Sequence, residues 1–434
     1  MLITRSALAG LACGMLVTGV QAGGFIEDSK TSLRYSQYYW NENDGDGVGP
    51  VRDEWVQGAQ FTFRSGWYND MLGVDYSYGL ANDLNIGQNS TSITNLEARQ
   101  SITDPHGIAK PLEAYLRGKF AAGAGELNVG AGKKIRRYGQ YRDDVTRILP
   151  AATVGYDLGY RLGTFEARVS RINEFSPRQE NGWGNALTNF SGEKIKDLRL
   201  YALSWKAPEG TTLRTEYAES TDYLREALLK AEHSFDLGQA RGIDVYATTG
   251  TQQDAGKLFD YGGVKGLYEP EQSHDARFMD LSIKYRTGPY YAGFAYNKVW
   301  GDDFDRLFFS QDHGTWDSSA KDFYYFGLKN EEMFKLSAGV NFAPLGLPGL
   351  VLDTYYAKST HAAGYDDFSR YDFQTVLQYA FQGSLKGLSA VWLHDEFKTE
   401  GTPDGVSRFV ASRGPAGIIT HNADRFYFSY TYDF

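Results

Sequence analysis

The chain ends on Arg425-Phe426-Tyr427-Phe428-Ser429-Tyr430-Thr431-Tyr432-Asp433-Phe434, and few folds can use such a segment. Successive side chains of a strand point to opposite faces. Phe426, Phe428, Tyr430, Tyr432 and Phe434 therefore make one greasy face. Arg425, Ser429, Thr431 and Asp433 make a wet one, with Tyr427 the lone aromatic on that side. A soluble sandwich needs a second layer over five such aromatics. A barrel wall with lipid outside and water inside asks for this pattern.

A length of 434 residues suggests two or three soluble domains, but a large barrel escapes that rule. The 31 Tyr, 26 Phe, 8 Trp and 49 Gly fit a wall that is half lipid-facing and half wet. Beyond the N-terminus no run of about 18 apolar residues occurs, which excludes a helical membrane protein. Residues 1–22 read as a secretory signal: Arg5 supplies the positive start, Ala7 to Val20 the apolar stretch, and Val20-Gln21-Ala22 the cleavage site. Cys13 is the one cysteine and falls inside that signal, so disulfide and thiol chemistry are not expected of the mature chain. The formal net charge of −10 argues against nucleic acid as a partner.

Alternating segments recur along residues 23–434 at about 31–40, 56–65, 71–80, 113–121, 125–135, 152–162, 164–172, 197–206, 211–219, 225–235, 242–250, 277–287, 290–299, 322–343, 349–358, 371–382, 386–397 and 424–434. Their connections alternate in length. Short turns such as Ala122–Gly125, Gly163 and Ala207–Gly210 take turns with long stretches at 41–55, 81–112, 136–151, 173–196, 251–276, 300–321, 359–370 and 398–423, plus a brief link near Asp222. A transmembrane barrel keeps short turns on its periplasmic side and long loops outside. Asp322–Lys329 reads as a strand of its own and would make the count nineteen; with both ends on the short-turn side the number must be even. Merging that stretch into the next strand or the preceding loop gives a single all-β, antiparallel, up-and-down transmembrane barrel of 18 strands, wide enough for water.

Phe25-Ile26-Glu27-Asp28-Ser29-Lys30, Arg147-Ile148-Leu149-Pro150, Leu345-Gly346-Leu347-Pro348-Gly349-Leu350 and the terminal aromatic strand resemble the OprD-type porins, outer-membrane carboxylate channels of pseudomonads and relatives. The resemblance implies an 18-stranded barrel whose third loop, here about 136–151, folds inward. It also implies a ladder of basic side chains on one wall and a preference for small anionic nutrients.

Strand parity nominates the lumen lining. Lys134 and Arg136 alternate with Leu127, Val129 and Ala131; Arg161 alternates with Val154, Tyr156, Leu158 and Tyr160. Arg168 stands between Ala167 and Val169, and Arg214 between Leu213 and Thr215. The loop after Lys134 adds Arg137, Arg142 and Arg147. An acidic set, Asp157, Glu166, Asp244, Asp280 and Asp353, is expected to oppose them. A guanidinium binds a carboxylate bidentately, and weak repeated binding suits conduction. The reading is a porin for passive uptake of small carboxylate-bearing solutes: amino acids, aromatic acids or short organic acids. A general diffusion porin, a saccharide channel with aromatics along the lumen, and an outer-membrane enzyme are the alternatives.

Glu42-Asn43-Asp44-Gly45-Asp46-Gly47 faintly resembles a calcium loop but lacks flanking helices and a bidentate Glu, so no metal site is assigned. The seven histidines show no paired metal spacing and no Gly-x-Ser-x-Gly elbow occurs; an enzyme is not expected and no cofactor is called for. Tyr38, Tyr39, Trp40, Trp67, Tyr68, Tyr290 and Tyr291 lie near strand ends and read as interfacial girdles. The expected partners are anionic solutes, outer-membrane lipid and lipopolysaccharide, and the barrel-assembly machinery acting on the strand that ends at Phe434. Monomer and homotrimer both stay open.

Overall fold

The computed structural model describes residues 24–44, 51–98, 101–259, 273–304, 307–311, 313, 317–403 and 420–434. The expected signal at 1–22 lies outside them, as do Gly45, Asp46 and Gly47 of the calcium-like stretch. The strands are β1 (Lys30–Asp44), β2 (Arg52–Arg64), β3 (Leu72–Ile86), β4 (Ile108–Ala122), β5 (Gly125–Lys134), β6 (Ala152–Leu162), β7 (Phe165–Ser176), β8 (Asn185–Ala186), β9 (Leu198–Lys206), β10 (Thr211–Ser220), β11 (Leu224–Gly238), β12 (Arg241–Asp254), β13 (Asp275–Thr287), β14 (Tyr290–Gly301), β15 (Glu332–Asn341), β16 (Leu350–Thr360), β17 (Tyr365–Ala380), β18 (Leu388–Pro403) and β19 (Thr420–Asp433). The two-residue β8 pairs only with β7, while β7 continues to β9. The other 18 strands form the wall. Each is antiparallel to its sequence neighbour, and β1 pairs with both β2 and β19, from Ser32↔Asp433 to Asp44↔His421. Closure leaves no sheet edge, as a membrane-spanning sheet requires.

The terminal strand sits as its alternation demands. Phe428, Tyr430 and Tyr432 are exposed on the outer face, and Tyr39 of β1 faces Phe426 in register. Tyr427 turns inward, edge-on to Tyr38 at 4.7 Å. Several strands run further outward than the apolar alternation suggests: β3 reaches Ile86, β12 reaches Asp254 and β18 reaches Pro403. On β12 and β18 the outward side chains turn polar there, at Thr251, Gln253, Glu396 and Lys398, which erases the pattern, but backbone pairing continues. Asp322–Lys329 is not a strand; the wall resumes at Glu332, and this stretch packs against the inner face instead. The link near Asp222 is a three-residue turn with Asp222 at φ 60°.

The buried apolar core lies inside the barrel. Tyr141, Phe175, Leu187, Ile195, Phe308 and Phe309 form one cluster, Trp40, Leu112, Ile148 and Leu149 a second, and Phe278, Phe304, Phe326 and Met333 a third. Each joins wall residues to residues of long loops. Four presumed girdle aromatics belong to the interior: Tyr38 and Trp40 are buried, Tyr291 donates to Asp353 at 2.6 Å, and Trp67 lies under Arg117 and Lys119. Parity places Tyr38, Trp40 and Tyr291 on the wet face, and nearness to a strand end does not override it. Trp67 lies in the turn between β2 and β3 and is drawn inward by the two cations over its ring. Tyr290 is exposed on the outside.

Candidate functional site

The lumen between β2–β7 and the 135–151 segment holds a recess of about 630 Å³. Arg64, Arg117, Lys134, Arg137, Arg161 and Arg168 line it, from five strands and the loop. Two glycines allow this geometry by close approach. A Cβ at Gly130 would stand 1.8 Å from the Tyr115 hydroxyl; without it, the Tyr115 ring crosses β5, donates to Asp157 at 2.8 Å, and carries the Lys134 ammonium 4.4 Å from its centroid. A Cβ at Gly139 would meet Arg214 at 2.9 Å. That closeness lets the backbone N–H groups of Gly139 and Gln140 donate to the two oxygens of Glu216, each at 2.9 Å.

The 135–151 segment is also pinned elsewhere. The Ile148 N–H donates to Asn95 Oδ1 at 3.0 Å, and Arg147 Nε donates to Thr94 Oγ1 at 2.8 Å. Trp40 lies between two guanidinium groups, Arg425 at 3.8 Å and Arg147 at 4.6 Å. Fully buried Asp143 accepts from the Arg136 N–H at 2.6 Å, Tyr141 Oη at 2.7 Å and Thr153 Oγ1 at 2.9 Å. Burial pushes its carboxyl up to about 6, against those bonds, which favour the ionised form. Burial likewise raises the Tyr138 phenol to about 12, so at neutral pH it is uncharged.

The cations nominated from sequence divide by environment. Arg161 is exposed and, among the described residues, in no ion pair; its neighbours in register are Glu126 and Glu166. Arg168 is 42% exposed, with Glu166 no nearer than 3.9 Å. Arg137 and Arg142 are exposed on the loop. Lys134 is half-buried beside Asp157 at 3.4 Å. Arg136 departs from the expectation. It is only 1% exposed and braces the wall through Asp157 at 2.8 Å and the Thr153 carbonyl at 2.6 Å. Arg214 pairs with Glu216 at 3.3 Å and also with Asp317.

The acidic set does not stand opposite as a group. Asp157 and Glu166 share the wall with the cations, because β6 and β7 carry both signs on their inner faces. Asp280 is buried and takes the Ser319 backbone N–H at 2.8 Å. Asp244 and Asp353 are on the far strands, the first held by Arg286 at 2.7 Å and the second by Tyr291.

Arg64 and Arg117 escaped the sequence reading. Both clasp Asp75, at 3.1 and 3.0 Å, and Arg64 also pairs with Glu113. The signal was present: Arg64 follows Phe61-Thr62-Phe63, and Arg117 alternates with Leu116 and Phe120. A second loop stretch, 317–329, runs along the other side of the lumen. Asp317 meets Lys230 at 2.9 Å, Asp322 pairs with Lys335, and the Tyr324 N–H donates to Asp372 at 3.2 Å. Glu42, of the calcium-like stretch, is buried between Arg52 at 2.5 Å and Arg425. Among the described residues no group of three or more His, Cys, Asp or Glu is arranged to hold a metal.

This architecture has counterparts of known class. Residues 23–407 match the model described as outer membrane porin, OprD family. Porin D of Pseudomonas aeruginosa is 22% identical over 358 residues, 77% of this chain and 74% of that one. The porin-like protein GalP of Pseudomonas putida is 24% identical over 391 residues, 86% of this chain and 87% of its own. Pseudomonas aeruginosa OpdK, solved with vanillate, superposes with a TM-score of 0.75 at 20% identity, over 95% of this chain and all of its own. OccK9 (OpdG) of the same organism gives 0.79 at 18% identity over the same shares. A wall closed by β1 on β19, long loops packed into its lumen, and a family match over most of the sequence lead to one assignment: the chain belongs to the OprD family of outer-membrane porins and is a channel of the Gram-negative outer membrane, not an enzyme.

Proposed function

We propose that the protein is a passive, substrate-preferring channel for small carboxylate-bearing solutes, which pass along the β2–β7 wall. The observation that carries this is an imbalance of unspent charge. Asp75, Glu113 and Asp157 are tied to Arg64, Arg117, Lys134 and Arg136. Arg137, Arg161 and Arg168 keep guanidinium surface open to the recess. Those three therefore offer a carboxylate its first bidentate partners on this wall. Glu126 and Glu166 interleave with them and keep any one site weak, so a solute is passed on rather than retained. The similarity to OpdK, solved with vanillate, itself a carboxylate, supports the same solute class.

Residues 1–22 serve in this reading as a cleaved secretory leader, with one barrel following and the 135–151 segment narrowing it. The terminal strand is the segment that the barrel-assembly machinery would engage. Replacing Arg161 and Arg168 together by Ala tests the solute assignment. The expected result is a several-fold fall in uptake of organic acids in proteoliposome swelling and a reversal potential shifted toward cations, with neutral sugars unaffected. Unchanged acid uptake and unchanged ion selectivity would defeat it.

A further inference from the structure

One sector of the outer surface sets exposed arginines above a hollow in the wall. Along β11 the outward residues are Arg225, Ala227, Leu229, Ala231 and His233, and along β13 they are Arg277, Met279, Leu281 and Ile283. Register sets Arg225 between Gln253 on β12 and the Glu219 carboxylate on β10, and Arg277 beside Thr251, with Trp300 next to Arg277 on β14. Arg225 is exposed and bonds Gln253 Oε1 at 3.0 Å. Arg277 is 62% exposed, and its carboxylate neighbour Asp275, at 3.2 Å, is 52% exposed. Cations on the lipid face cost about 2–4 kcal/mol at the bilayer midplane and about 0–1 near its boundary. These two therefore mark the level of the outer headgroups.

Below them the wall is hollowed. Ala231 and Ala247 lie side by side in register and continue into Leu281 and Tyr296. The small pair leaves a lipid-facing trough of about 470 Å³, bounded by Leu281, Ile283, Phe294 and Tyr296. From the level of Arg277 to Leu281 and Ile283 is four to six residues, roughly 13–20 Å along the strand at about 3.3 Å each, or about 10–16 Å of depth at the usual strand tilt of about 35–45°. That span is comparable with half of the ~30 Å hydrocarbon core, the depth filled by the chains of one leaflet.

We propose that β11–β14 form a binding site for one phosphorylated glycolipid of the outer leaflet, its phosphate held by Arg225 and Arg277 and one acyl chain laid in the Ala231–Ala247 trough. Charge chooses the occupant: a guanidinium forks onto phosphate oxygens, and an uncharged lipid would use the trough alone. The site depends on the outer-membrane location and not on which solute the lumen prefers.

Native mass spectrometry of the detergent-purified full chain, with bisphosphorylated lipid A as the probe, tests this. The R225A/R277A double variant and the trough-filling A231F variant are each expected to retain lipid A at least tenfold less well than the unaltered protein. Dephosphorylated lipid A should bind the unaltered protein as weakly as lipid A binds R225A/R277A. Heat-modifiable migration and single-channel conductance, unchanged in both variants, report that the barrel is intact. Equal retention by all three proteins overturns the site. Loss in R225A/R277A without loss in A231F overturns the acyl trough. Phosphatidylglycerol binding as tightly as lipid A overturns the glycolipid assignment.

Discussion

The guanidinium carbon of Arg168 lies 4.7 Å from the centre of the Tyr138 ring, joining the barrel wall to the loop in front of it. Tyr138 is fixed from its other end by a 2.7 Å hydrogen bond between its hydroxyl and that of Ser170. A cation on an aromatic face contributes about 0.5–1 kcal/mol at a partly exposed site, enough to bias one rotamer of Arg168. Tyr138→Ala should free that arginine, widen the recess and lower the preference for anions. Tyr138→Phe keeps the ring and should change selectivity far less. Reversal potentials under a salt gradient, measured on both variants, decide this; equal shifts in the two would mean that the ring is not what matters.

Glu216 is the far anchor of the same loop. Two backbone donors and Arg214 converge on it. Removing a buried acceptor strands donors at about 1–3 kcal/mol each. Glu216→Ala should therefore loosen residues 135–151 by a few kcal/mol while leaving the 18-strand ladder paired. The expected record is a channel with more frequent conductance steps and an unaltered heat-modifiable band. A quiet channel with unaltered conductance would show that the tether does not hold the loop.

Much of the fold was legible because parity is a two-fold code and barrels use it without interruption. Phe426, Phe428 and Tyr430 declared the outer face, and Arg161 and Arg168 the inner one, with no knowledge of any contact. Arg136 and Asp157 show where legibility stopped. Parity says that both point inward, but not that they point at one another at 2.8 Å and spend their charges there. Asp322–Lys329 marks the same limit from the loop side. Its alternation is real, yet it serves to lay Tyr324 against Phe397 at 4.0 Å and Asp322 against Lys335 inside the lumen rather than to pair backbones. Long loops fold on the wall by side-chain contacts that have no sequence period.

Asp143 gives the loop a pH dependence with a definite sign. Its carboxyl is raised to about 6 in the folded protein by burial, whereas in an open loop it would return to the ordinary value near 4. The folded loop therefore binds the extra proton. Stability of the closed arrangement is fully present below about pH 4 and falls as pH rises through about 6, by roughly 3 kcal/mol in all. Gating events should become more frequent between pH 4 and 7 in the unaltered protein. In Asp143→Asn this trend should be absent. A variant that kept the full pH dependence would place its origin elsewhere.

A last expectation concerns the segment on the opposite side of the lumen. Glu331 is completely buried and receives Arg370 in a bidentate pair, Nε and Nη2 each at 2.6 Å, with Ser359 Oγ donating to the same carboxylate at 2.6 Å. Arg370 also donates to the Tyr325 carbonyl at 2.7 Å and lies 5.0 Å from the Phe326 ring, so it fastens the 317–329 stretch to β17. Breaking one side of a buried pair leaves the other charge without compensation, at about 3–5 kcal/mol, whereas replacing both by apolar residues is often close to neutral. Glu331→Ala should lower the temperature at which the folded, fast-migrating form converts, and open the lumen on that side. Glu331→Leu combined with Arg370→Met should recover most of the lost temperature but not the seat of the Tyr325 carbonyl. Conductance would then stay raised while thermal resistance returned. If the double replacement melted as low as the single one, the stranded guanidinium would not be the cause.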